Sequence, residues 1–174
     1  VITLLIEPIK ADLGISDTQF SLLHGLAFAI LYATAGIPIA KMADTRSRPA
    51  IIAVGIFVWS LATALCGLAK SFVQLFIARM AVGVGEAALS PAAYSMINDS
   101  FPKSKLGLAL GVYSSGSFLG GGLALIIGGV AISMLEQLGP QHWPLIGLIK
   151  PWQMTFLIVG LPGILVAALF IITV

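Results

Sequence analysis

The stretch RMAVGVGEAALSPAAYSMINDSFP, from Arg79 to Pro102, is apolar enough for hydrocarbon yet carries an arginine and a glutamate near its middle. Seven residues make nearly two helical turns, so Arg79 and Glu86 fall on one face, with Gly83 and Ser90 on the same stripe. A charge at the bilayer centre costs at least ~2.5–3.5 kcal/mol on insertion scales, so this stripe must face protein or a water-filled cavity. The two groups are about 10 Å apart along the axis. Direct pairing would be a stretch, and each calls for a partner on another helix. Two chemistries are open: a static ion pair that fixes helix packing, or a solute or ion pathway. Burial disfavours a carboxylate's charged form, so Glu86 is suited to loading and releasing a proton. A guanidinium keeps its charge throughout. Glu86 is therefore the first choice for a coupling residue, with Arg79 as its cavity neighbour.

Such residues need a membrane around them, and the composition supplies the reason to expect one. Of 174 residues, 59% are hydrophobic and only 9% charged, with a mean hydropathy of +1.07. Soluble domains are about a quarter charged, and a soluble chain this poor in charge would expose large apolar patches. A net charge of +2 is too small to point to nucleic acid. The single cysteine, Cys66, excludes an internal disulfide. A helix needs roughly 20 apolar residues to cross hydrocarbon, and five stretches qualify: 18–42, 50–70, 72–98, 106–134 and 153–174. Residues 1–9 are too short to span and are expected to be the stub of a truncated first helix. The whole of 1–174 then reads as one six-helix transmembrane domain, all-α and without a sheet, cut from something longer.

The breaks between spans carry further expectations. KMADTRSRP is a charged turn with Pro49 opening the next helix, AKSF a tight hairpin, and NDSFPKSK a polar turn. The loop EQLGPQHWPLIGLIKPWQ is proline-rich, and its Trp143 and Trp152 are placed like interfacial anchors. Lys41, Arg46, Arg48, Lys103 and Lys105 lie on one side, against Lys10, Lys70 and Lys150 on the other. By the positive-inside rule the richer side is cytoplasmic. Gly107 and Gly111, and Gly116 and Gly120, are four apart, a spacing that lets helix backbones approach closely in lipid. The triplet Gly120–Gly122 is a plausible bend or sliding surface. Gly25, Ala29, Ala33 and Gly36 give the second helix a similar small-residue character. His24, Tyr32 and Ser90 are candidate cavity-lining residues; His24 and Tyr32 lie eight apart with Phe28 between them.

At this point the residues resemble a known family, the major facilitator superfamily, and specifically its N-terminal six-helix half. The turn AKMADTRSR is similar to the family's G-x-L-a-D-R-x-G-R: Asp44 and Arg48 match, while Ala40, Thr45 and Ser47 replace two glycines and a basic residue. Arg46 supplies a basic group one place later. Arg79, Gly83 and Gly85 match R-x-x-x-G-x-G, and Pro91, Tyr94, Asp99 and Pro102 fall on P-x-x-Y-x-x-x-x-[DE]-x-x-P. The next turn, usually R-R-G, is KLG here, so Lys105 keeps one charge and Leu106 loses the other. The run GVGEAALSPAAYSMINDSFP, and FSLLHGLAFAILYATAGIPIAKMAD before it, look most like bacterial Spinster-like members.

The resemblance implies a secondary active transporter half working by alternating access, built on a diverged three-plus-three inverted repeat. It implies that Arg79 faces the central cavity and answers an acid on the first helix. Asp44, Arg46, Arg48, Asp99 and Lys105 would form a cytoplasmic gate of relayed charges that holds the outward-open state. The implied partners are the lipid bilayer, a missing C-terminal six-helix half, a small-molecule or lysolipid-like substrate, and a proton or other cation. The implied place is a bacterial inner membrane. No catalytic residues, metal site or cofactor are expected, since one deep glutamate offers no converging set of acids, histidines or metal ligands. The alternative is a non-transporting receptor or structural membrane protein of the same fold.

Overall fold

The structure, a computed structural model, describes residues 2–144 and 146–174; Val1, in the expected stub, and Leu145, in the long loop, lie outside the described residues. A turn of 3-10 helix, Ile2–Leu5, leads into α1, Ile6–Leu13. Gly14 ends α1 with a φ of 62°, where only glycine is free of strain, and its N–H closes on the Lys10 carbonyl. Ser16 opens α2, Asp17–Ser21, through a capping box: Gln19 N donates to Ser16 Oγ at 3.2 Å, and Ser16 N donates to Gln19 Oε1 at 2.9 Å. The helix then loosens into one π turn, Leu22–Leu26, and continues as α3, Ala27–Thr45.

The remaining elements are α4, Arg48–Cys66; α5, Phe72–Glu86; α6, Leu89–Ser100; α7, Lys103–Leu138; and α8, Pro151–Thr173. Five helical runs are long and apolar enough to cross a membrane: Asp17–Thr45, Arg48–Cys66, Phe72–Ser100, Lys103–Leu138 and Pro151–Thr173. Each coincides with one of the stretches read from the sequence. Two ends shift. The second span stops at Cys66 because the chain turns at Gly67 and Leu68, and the fourth extends further at both ends.

Two expectations need correction. A small sheet exists: β1, Gln141–Trp143, pairs antiparallel with β2, Gly147–Ile149, with His142 opposite Leu148. It folds the long loop back on itself and leaves the membrane bundle all-α. Trp152 is only 2% exposed, inside the core rather than at a lipid interface, while Trp143 is exposed on the hairpin.

The core explains the order of the helices. Leu5 and Ile9 are fully buried against Phe20, Leu23, Leu75, Val82, Trp152 and Phe156. The N-terminal segment therefore plugs one end of the bundle. Helix α4 packs against α5, α6 and α8. Glycine makes this possible: a Cβ at Gly160 would sit 2.5 Å from the Ala64 nitrogen, and one at Gly85 would sit 2.5 Å from the Trp59 nitrogen. These are backbone-on-backbone contacts that only glycine permits. The other glycines singled out in the sequence behave otherwise. At Gly25, Gly36, Gly107, Gly111, Gly116, Gly120, Gly121 and Gly122 a Cβ would meet nothing within 4 Å. Spacing reports the capacity for close approach, and the neighbour decides whether it is used.

Candidate functional site

The central feature is the break in the third span. Pro91 has no N–H to give the Ala87 carbonyl, and its ring crowds that oxygen. The helix accordingly opens at Ala87 and Ala88, where the Ala88 N–H turns to the Gly85 carbonyl at 3.2 Å. Glu86 is the last residue before this break. Gly83, one turn earlier, lies against α3 so closely that a Cβ there would be 2.5 Å from the Phe28 carbonyl oxygen. That contact brings Phe28 under Arg79, whose guanidinium carbon is 5.7 Å from the ring centroid.

On α5, Arg79 and Glu86 share a side with Leu75 and Val82, which are buried in the core. Val73 and Ile77 face the other way and are about 60% exposed. The polar stripe thus continues the interior side of the helix rather than the lipid side. Arg79 is half-buried, and its Nε is buried with no hydrogen-bond partner among the described residues. Glu86 is exposed. Neither belongs to any ion pair found among the described residues. Their separation along the helix is what keeps them apart.

Aromatic hydroxyls gather around this face. Tyr32 stacks on Phe28 with centroids 5.2 Å apart, and Tyr94 meets Tyr113 edge-on at 5.3 Å. Tyr113 has Tyr94, Tyr32 and Ser90 as its polar neighbours. Of these, Tyr32 and Ser90 were expected as cavity lining. Phe28 and Tyr94 were visible only as spacer and motif residues. Tyr113 gave no signal, because nothing in the sequence says which face of α7 meets α6. His24 lies exposed in the π turn. Among the described residues no three His, Cys, Asp or Glu side chains cluster to hold a metal ion.

Of the five residues expected in a cytoplasmic charge relay, two meet in an ion pair. Arg48 forms an ion pair with Asp99, and its Nε donates to the Ala43 carbonyl at 3.2 Å. One guanidinium thereby joins the end of α3, the start of α4 and the end of α6. Each charge also lies at the unfavourable end of its own helix dipole, Arg48 at an N-terminus and Asp99 at a C-terminus, so each offsets the other. Asp44, Arg46 and Lys105 are exposed and enter no ion pair among the described residues.

A broken apolar helix with a half-buried arginine, packed glycine to backbone against its neighbours, has counterparts in known proteins. The family model of the Major Facilitator Superfamily matches residues 1–174. The chain belongs to the major facilitator superfamily. It is 31% identical to an MFS-type efflux pump of Mycolicibacterium smegmatis, over 99% of this chain and 37% of that protein. It is 28% identical to a probable L-galactonate transporter of Escherichia coli, over 91% of this chain and 32% of that protein. Among solved structures, it superposes on a bacterial homolog of the human lysosomal transporter Spinster, in an inward-facing and unoccupied conformation. The TM-score is 0.85 at 37% identity, covering 99% of this chain and 38% of that one. The inward-facing occupied form gives a TM-score of 0.84 at 38% identity. The chain therefore spans under two-fifths of the relatives it matches, and as a superfamily member it is a polytopic integral membrane protein of transporter lineage.

Proposed function

We propose that this chain forms part of a proton-coupled secondary transporter that moves a small organic or amphipathic, lipid-like solute by alternating access. The observation that carries this reading is the buried Nε of Arg79, which has no partner among the described residues although its guanidinium is held over Phe28. An unpaired buried donor on a charged group is costly. A planar guanidinium fixed in this way suits a carboxylate or phosphate that arrives and leaves. The tyrosine and phenylalanine faces nearby suit the apolar part of the same solute. Glu86, seven residues on and exposed on the same side, supplies a carboxyl that can take a proton while the solute is bound. The resemblance to Spinster-like members favours an amphipathic lipid as solute, and relatives named for L-galactonate, hexuronate and sialic acid carry the carboxylate such a guanidinium would meet.

The test is uptake by the full-length protein in vesicles under an imposed pH gradient. Glu86→Gln should abolish gradient-driven accumulation while leaving exchange largely intact. Arg79→Lys keeps the charge and loses the planar fork, and should weaken binding itself. A wild-type pH profile and full accumulation in Glu86→Gln would move the coupling acid elsewhere and make Glu86 structural.

A further inference from the structure

The outer surface of the bundle carries a second cavity system, away from Arg79 and Glu86. One cleft of about 400 Å³ lies between the end of α3, the first half of α4 and the α5–α6 break. Its α5 wall includes Val84, which is roughly 140° around the helix axis from Arg79. Met42 and Val54 on its rim are 49% and 61% exposed, so the cleft opens at the surface of the bundle. A second cleft of about 390 Å³ runs between α4 and α8, past Phe57 and Ile164. The two share Ala50 and Val54 and so lie on either side of one ridge. From Ala50 to Phe57 they run about 10 Å down the helix.

The polar end of the first cleft is formed by Arg46 and Ser47. Arg46 is exposed and has no carboxylate partner among the described residues, and Asp44, two positions earlier, does not line the cleft. Ser47 caps α4, so the positive end of that helix dipole points to the same place. The surface thus offers two adjoining apolar grooves that meet beneath one unpaired cation. We propose that it is a binding site for an anionic diacyl phospholipid of the surrounding bilayer. The phosphate sits at Arg46 and Ser47, and one acyl chain lies on each side of the Ala50–Val54 ridge. Charge selects the headgroup and the paired grooves select two chains over one. The site is separate from the solute face, so its occupant stays with the protein while solute is exchanged.

Native mass spectrometry of the full-length protein, released from nanodiscs of equal phosphatidylglycerol and phosphatidylcholine, tests this. The wild type should retain phosphatidylglycerol preferentially. Arg46→Gln should lower that preference about fivefold, the scale of one basic residue at an anionic membrane surface, and Arg46→Lys should largely keep it. Val54→Trp, on the lipid-facing ridge, should reduce retention of diacyl lipid and leave a single-chain lysophosphatidylglycerol less affected. An unchanged preference in Arg46→Gln would overturn the proposal, as would undiminished diacyl retention in Val54→Trp. Displacement of the lipid by millimolar inorganic phosphate would also overturn it, by showing that only the anion is recognised.

Discussion

The two ends of the bundle are held shut by different means. At one end Asp12, on α1, accepts a hydrogen bond from Trp152 Nε1 at 2.7 Å and forms an ion pair with Lys150. Next to it, the buried Gln153 donates to the Ala69 carbonyl at 2.9 Å and accepts from the Lys150 N–H at 3.0 Å. Asp12 is 15% exposed. At the other end Arg48 and Asp99 meet with Asp99 more than half exposed, and the other charges stay in the open. A carboxylate that is almost out of water and holds two donors resists separation. An exposed pair is screened and weak. The first end is a seal and the second a latch.

The contrast can be broken most sharply at Asp12. Asp12→Ala leaves the Trp152 indole N–H and the Lys150 ammonium without their shared acceptor. It should cost about 2–3 kcal/mol, the upper part of the range for charged hydrogen bonds, held down by the partial exposure of Lys150. The melting temperature of the full-length protein in detergent measures this. A shift no larger than that of Asp99→Asn would mean the two ends are held alike.

Gln153→Ala should follow, at roughly 1–2 kcal/mol, because it strands a backbone carbonyl and a backbone N–H at the same end. Gln153→Glu would separate shape from charge, since it keeps an acceptor for Lys150 N and loses the donor to Ala69. At the latch, a double-mutant cycle between Arg48→Gln and Asp99→Asn should give a coupling of only about 0.5–1 kcal/mol. Its larger consequence is conformational: labelling of a cysteine placed in the Asp44 turn should speed up in Asp99→Asn. Equal labelling rates would reduce the pair to a solvated surface contact.

The smallest effect separates burial from location. Lys10 lies at the sealed end, yet its contacts with Asp17 at 2.5 Å and Glu7 at 3.3 Å are with exposed carboxylates. Hydrogen bonding to Asp17, and then to Glu7, raises its pKa above the ordinary 10.5. A raised lysine pKa means stability that is fully present below the unfolded value and lost as pH rises through the folded one. Lys10→Met should therefore remove a small increment at neutral pH and make no difference at strongly alkaline pH. Melting curves at pH 8 and at rising alkaline pH compare the two.

Much of this was legible beforehand. The spans follow from hydropathy and length, and the Arg79–Glu86 face follows from 3.6 residues per turn. Both are properties of local sequence. The seal was not legible, because Asp12 and Lys150 are 138 residues apart and a lone sequence says nothing about which loop charges meet. Trp152 was misplaced for the same reason: a tryptophan at a helix start reads as interfacial until α1 is seen to cover it. The hairpin in the loop after α7 has no Asn-Gly turn or clean alternation to announce it. The helix break was written in Pro91, but a proline in an apolar run can also be absorbed as a mild kink, as Pro38 and Pro162 are within α3 and α8.

Helix α7 runs unbroken for 36 residues, and from Leu106 to Leu135 it carries no charge. That stretch is about 45 Å long, half as long again as a typical hydrocarbon layer of about 30 Å. It cannot stand upright in such a layer with both ends wetted. It must lean, or the bilayer must thicken around it. At Gly107, Gly111, Gly116, Gly120, Gly121 and Gly122 an added Cβ would meet nothing within 4 Å among the described residues. The angle of α7 is thereby tied to the thickness of the host membrane, and chain length of the surrounding lipids becomes a mechanical input to the bundle.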